Sequence, residues 1–117
     1  MQQRHQKALN DALAIIKASD VSSFIQSIYL YGSCSRNEEQ WNSDVDLFVE
    51  FKDSFDIMKY KRQVLRLRSD VNAIDIIAPE VDVHFSIGTD WKDSSLEYYN
   101  NIRKDGIKVW ENSSNCY

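Results

Sequence analysis

The sequence predicts an α/β (α+β) fold: a small mixed β-sheet with helices packed on it. Two kinds of apolar pattern alternate along the chain. Short runs of strand length stand between stretches whose apolar residues recur every three or four positions. The order read from them is α-β-β-α-β-α-β, and helices inserted between strands favour a layered sheet over a bundle or sandwich. The 117 residues contain no internal repeat, linker or low-complexity tract, and the only proline is Pro79. We therefore expect residues 1–117 to form one domain, long enough to bury a core.

Residues 3–18 read as a helix, with Leu9, Ala12, Leu13 and Ile16 on one face and Ser19-Asp20 ending it. Ile25–Tyr31 and Val45–Phe51 read as strands, separated by a polar stretch from Cys34 to Ser43 that has room for a short helical turn. A second long helix is expected after a cap at Asp53 or Ser54. Its buried stripe would be Ile57, Tyr60, Val64, Leu67, Val71 and Ile74, widened by Met58 and Leu65. Val81–Ile87 alternates Val81, Val83, Phe85 and Ile87 against Asp82, His84 and Ser86, a third strand. A third helix spans about Ser94–Lys104 with Leu96, Tyr99 and Ile102 inward. Asp105-Gly106 stops it, and Ile107–Trp110 is a terminal strand.

The chemistry concentrates where the first strand ends and the second begins. Gly32-Ser33 closes one apolar run, and ten residues later Asp44-Val45-Asp46 opens the next. Positions i and i+2 of a strand share a face, so Asp44 and Asp46 would project side by side near the backbone N–H groups of the Gly-Ser turn. Oxygen ligands beside such a turn suit a Mg²⁺-bound triphosphate. Asp82 lies on the face opposite Val81 and Val83 and could join the pair. Three converging carboxylates repel one another, and two Mg²⁺ ions would resolve that repulsion while clamping the attacking and leaving oxygens of a phosphoryl displacement.

Composition narrows the classes. A net charge of −4 argues against direct coating of nucleic acid. No apolar run spans a bilayer, and the first residues lack the apolar stretch of a signal peptide, so the expectation is a cytoplasmic chain with no membrane. Cys34 and Cys116 are expected as free thiols, and no Cys/His cluster has zinc spacing.

Gly32-Ser33-Cys34-Ser35-Arg36-Asn37, five residues, then Ser43-Asp44-Val45-Asp46-Leu47-Phe48-Val49 resembles the signature of the polymerase-beta-like nucleotidyltransferases, specifically the minimal nucleotidyltransferase (MNT) group. That signature reads Gly-Ser, two residues, Arg-Gly, five residues, Ser-Asp-(Ile/Val)-Asp-Leu. The resemblance covers nearly the whole chain. It departs at Asn37, which stands for the usual Gly and tolerates a left-handed backbone better than most residues. Asp75 also resembles a family pattern for the third carboxylate, and Asp82 is preferred.

The resemblance implies transfer of a nucleoside monophosphate, AMP from ATP or another nucleoside triphosphate, to a hydroxyl with release of pyrophosphate. It implies Asp44, Asp46 and Asp82 as catalytic metal ligands for Mg²⁺, and Gly32, Ser33 and Arg36 as nucleotide-binding residues. It implies a helical HEPN-type toxin as partner, an RNA-cleaving protein that this chain would neutralise as antitoxin by AMPylation. With no acceptor domain in 117 residues, the acceptor surface is expected from the partner. Neutralisation by binding alone, and transfer to a small molecule or nucleic acid end, are the alternatives. Homo- and hetero-oligomers both stay open.

Other residues carry plainer readings. Lys59, Arg62 and Arg66 read as a solvated helix face, with docking of RNA or an acidic partner as the alternative. His84 shares the face of Asp82 and reads first as structural. His5 reads as a surface residue. Tyr29, Tyr31, Trp41 and Trp91 read as core or interface, with a base-stacking platform as the alternative.

Overall fold

The computed structural model describes residues 1–73 and 77–112. Ile74, Asp75 and Cys116 lie outside the described residues. The elements are α1 (Gln3–Lys17), β1 (Ile25–Tyr31), β2 (Val45–Phe51), α2 (Lys61–Asp70), β3 (Val81–Ile87), α3 (Glu97–Asp105) and β4 (Ile107–Glu111). The predicted order holds, and the first three strands have their expected bounds.

The sheet runs β3-β2-β1-β4. β1 pairs antiparallel with both β2 and β4, and β2 pairs parallel with β3, so the sheet is mixed. The parallel pair requires a crossover, and α2 lies in it. One sheet face carries Ile28, Leu30, Val45, Leu47, Val49, Phe51, Val81 and Val83. It packs against Ala8, Leu9, Ala12 and Ile16 of α1 and Val64 and Leu67 of α2. Leu47 and Ile16 are fully buried, and each such side chain contributes about 1.5–3 kcal/mol by burial.

The other face is covered in part. Tyr31, Phe48, Trp91 and Ile102 form a second cluster, with Tyr29 and Tyr99 packed on it. Inner strand β2 puts Val45, Leu47, Val49 and Phe51 on the first face and Phe48, between Asp46 and Glu50, on the second, so Val45–Phe51 reads as an apolar run broken by two acids. Edge strand β3 alternates cleanly because its second face is open.

Three expectations are corrected. The second helix begins at Lys61, not at Asp53 or Ser54. Phe55 instead stacks on Phe51, with ring centroids 4.2 Å apart, and on Tyr60 at 5.6 Å. The Asp56 carboxylate accepts the backbone N–H groups of Met58 and Lys59 at 3.1 and 3.3 Å. That local turn competes with helix and ends it as a possibility there. Met58 and Leu65 point outward, while Val64, Leu67 and Val71 keep the stripe. Leu96 is also exposed, because it precedes α3. No helix among the described residues is long and apolar enough to cross a membrane.

Candidate functional site

The site is built where β1, β2 and β3 end side by side. Tyr31 is the register partner of Asp46, and Asp46 is the register partner of Asp82. Directly paired residues share a face, so the three side chains form a row across the sheet. Asp44 precedes β2 by one residue and is exposed. The row lies on the face that α3 covers only in part.

The turn after β1 fits closely over this row. Gly32 has φ 76°, which favours glycine. A Cβ built there would come within 2.3 Å of Asp46 Oδ2. Glycine therefore keeps a cradle open above that oxygen. Ser33–Arg36 then form one turn of 3₁₀ helix. The Ser33 amide opens this turn, at the end where N–H groups lack partners within the helix. The Ser35 hydroxyl donates to the Gly32 carbonyl at 2.7 Å. Asn37 takes the left-handed conformation, φ 56° and ψ 35°, so it performs the backbone role of the usual Gly. Its side-chain oxygen accepts the Met1 amino group at 2.7 Å.

Electrostatics sets Asp46 apart. Burial first, then the Asp82 and Asp44 carboxylates, push it up to about 6; His84 and Arg36 oppose this. Burial of Cys34, aided by Glu39 and Asp46, pushes that free thiol up to about 11, and its Sγ lies 3.5 Å from the Asp44 carbonyl. Burial and the Tyr98 hydroxyl push Tyr31 far above the ordinary tyrosine range.

The donor set suits Mg²⁺. It consists of carboxylate oxygens, hard ligands whose mutual repulsion a divalent cation relieves, and the Gly32 cradle leaves Asp46 Oδ2 approachable. Among the described residues, no group of three or more His, Cys, Asp or Glu side chains is arranged so that it could hold a metal ion. Arg36 is engaged elsewhere: its guanidinium donates to Asp105 at 2.9 Å and to Glu38 at 3.3 Å. His84 Nε2 lies 3.1 Å from Asp82 Oδ2.

Three supports of the site escaped the sequence reading. His5 is fully buried, not a surface residue, and its Nε2 lies 2.9 Å from the Ser43 carbonyl, just ahead of Asp44. Spacing could have found it: it stands four residues before Leu9, on the stripe that continues through Ala12 and Ile16. Asn72 pairs its amide with the backbone of Val81 on the edge of β3, at 2.8 and 3.0 Å, and so fixes the strand next to Asp82. Tyr98, in the first turn of α3, places its hydroxyl 3.1 Å from that of Tyr31. Of the four aromatic residues singled out, Trp91 and Tyr31 are core, Tyr29 packs beside them, and Trp41 is exposed under the Arg4 guanidinium.

Comparison with known proteins gives the family and the fold. The family described as Polymerase beta, Nucleotidyltransferase matches residues 14–115. No curated protein matches the sequence. Among solved structures, a toxin–antitoxin pair with AMP-PNP is similar at TM-score 0.61 and 20% identity, covering 90% of this chain and 74% of that one. A Sulfolobus solfataricus protein assigned as a nucleotidyltransferase is similar at TM-score 0.59 and 21% identity, covering 93% and 85%. A third is a complex of tri-AMPylated Shewanella oneidensis HEPN toxin with MNT antitoxin, at TM-score 0.52 and 20% identity, covering 94% and 75%. These likenesses are of fold. With the match across most of its length, the chain belongs to the polymerase beta nucleotidyltransferase family.

Proposed function

We propose that the chain transfers AMP from ATP to a hydroxyl of a helical HEPN-type toxin, with Mg²⁺, and so acts as that toxin's antitoxin. The observation that carries this is the register of Asp46 against Asp82, with Gly32 held open above Asp46 Oδ2. The family match supports a transferase, and the similar MNT–HEPN complexes support the partner class.

Asp44, Asp46 and Asp82 would hold Mg²⁺, which when bound supplies charge neutralisation on the phosphates and activation of the acceptor hydroxyl. The Ser33 hydroxyl and the amides opening its turn would bind terminal phosphate oxygens. Gly32 lets the backbone come close to them. Asp82 stands on an edge strand, the side open to an incoming acceptor. The chain then has little to do beyond positioning and charge stabilisation, which is what phosphoryl transfer requires. Arg36 would add positive charge from the rim.

The test is ATP labelled at the α-phosphate, Mg²⁺ and a HEPN-type toxin as partner. Label on the partner, with loss of its RNA cleavage, is expected, and Asp46→Ala should remove both. An unlabelled partner with unchanged activity would overturn the reading. Antitoxin action by binding alone is favoured by one observation, the engagement of Arg36 by Asp105 and Glu38. Under that reading, an Asp44→Ala/Asp46→Ala chain still neutralises the partner at equal dose.

A further inference from the structure

We propose that Tyr98 is an acceptor in its own right, so that the chain also transfers a nucleoside monophosphate onto its own Tyr98 hydroxyl. This rests on the nucleotidyltransferase reading above and adds a modification site to it.

The placement is specific. Leu96 is extended, with φ −64° and ψ 131°, and Glu97 starts α3. The first turn of that helix lays Tyr98 over the face that carries the carboxylate row. Its hydroxyl is 3.1 Å from the Tyr31 hydroxyl, and Tyr31 pairs directly with Asp46, which pairs with Asp82. Neighbouring strands lie about 4.8 Å apart, so the whole row spans only about 10 Å. From the other side, the His84 ring lies 5.3 Å from that of Tyr98 while its Nε2 touches Asp82 at 3.1 Å. Tyr98 is thus tied to both ends of the row.

Access separates it from its neighbours. Tyr31 is 9% exposed and Tyr98 is 37% exposed, so of the two hydrogen-bonded phenols Tyr98 is the one a nucleotide from solvent can meet. Tyr99, one residue on, packs toward Phe48 instead, with centroids 6.1 Å apart. Burial raises Tyr98 above the ordinary tyrosine range, and Asp82 and Asp46 add to this while Tyr31 opposes it. It is a neutral phenol at rest.

The step balances without a further reagent. A lone pair of Tyr98 Oη forms a bond to the α-phosphorus of the nucleoside triphosphate. The bond from that phosphorus to the bridging oxygen breaks, and pyrophosphate leaves with the electron pair. The phenolic proton passes to water at the exposed edge. The product is a phosphodiester on Tyr98.

The experiment uses the full chain with α-labelled ATP and Mg²⁺, with and without a HEPN-type partner, followed by peptide mass spectrometry. A single AMP adduct on Tyr98 in the absence of partner is expected. Tyr98→Phe, which keeps the ring packing, should cut label on the chain at least about tenfold, and Tyr99→Phe should retain it. An Asp46→Asn chain with Tyr98 intact, mixed with wild type, should stay unlabelled; its labelling would overturn transfer within one chain. A labelled partner beside an unlabelled chain overturns the Tyr98 proposal alone, and so does an adduct confined to another residue. No label on either protein overturns both this proposal and the transferase reading.

Discussion

Asp46 and Glu50 stand four residues apart on the same face of β2, and the fold treats them oppositely. Glu50 is 1% exposed, and its carboxylate accepts the indole N–H of Trp91. Trp91 is held in turn by Arg103, whose guanidinium donates to its carbonyl at 2.6 Å. Asp46 faces Asp82 in register and Asp44 behind it, and it is pushed up to about 6. One carboxylate has its donor built in; the other is surrounded by like charge under an open glycine turn. A buried acid that is satisfied serves packing. An acid whose neighbours oppose its charge marks a place where a cation or proton is expected, and perturbed acids cluster at functional sites for that reason.

Substitution at the two positions should separate activity from stability. Asp46→Asn removes a proposed metal ligand and a repelled charge together. We expect transfer to fall by about 10²–10³-fold or more, with thermal stability equal or higher at neutral pH. Glu50→Ala should do the reverse. It strands the Trp91 N–H in a buried cluster and opens a cavity, costing about 2–4 kcal/mol, while turnover per folded molecule holds. Labelled-ATP assays beside denaturant titrations decide this. If Glu50→Ala lost transfer without losing stability, the division between the two carboxylates would be wrong.

Gly32→Ala probes the cradle. The new Cβ meets Asp46 Oδ2 at 2.3 Å on a backbone with φ 76°. The carboxylate can swing aside, so the stability cost should stay near about 1–3 kcal/mol from backbone strain. Nucleotide binding should weaken by more than the stability change explains, because Asp46 would be turned from its place. Calorimetric titration of a non-hydrolysable ATP analogue with Mg²⁺ checks this, and unchanged affinity would remove Gly32 from the site. A smaller effect is expected at His5, whose replacement by Ala frees the Ser43 carbonyl; a decline in transfer should accompany a drop of about 1–3 kcal/mol.

Much of this comparison was legible in the residues themselves. Strand period placed Asp82 opposite Val81 and Val83, and the Gly-Ser and Asp-Val-Asp pair lay at the ends of apolar runs. Register could not be read, because pairing of β2 with β3 is a contact between segments far apart in sequence. Helix start was misjudged where a local hydrogen bond won: the Asp56 carboxylate holds residues 58 and 59 in a turn. His5, Asn72 and Tyr98 were missed for a common reason. Each acts through a partner on another element, Ser43, Val81 and Tyr31, and such a contact is not written in local spacing, although His5 does fall on the stripe of Leu9, Ala12 and Ile16. Glu50 was invisible as a buried acid because in sequence it sits in an apolar run like any strand residue.

The smallest expected effect is the dependence of stability on pH, and its sign is fixed by the direction at Asp46. The folded state holds the Asp46 proton more tightly than the unfolded chain does. Its contribution is therefore fully present below about 3.8 and is lost as pH rises through about 6. The full shift would correspond to about 3 kcal/mol, and because Asp46 is only half-buried, solvent screening brings the expectation to about 1–2 kcal/mol. Wild type minus Asp46→Asn, followed by denaturant titration across this window, should decline with rising pH and then level off. Mg²⁺ should restore wild type more at pH above the window than below it, since only the ionised carboxylates attract the cation, and should do little for Asp46→Asn. A wild-type difference flat with pH would mean that Asp46 is as well compensated as Glu50, and the contrast between the two acids would collapse.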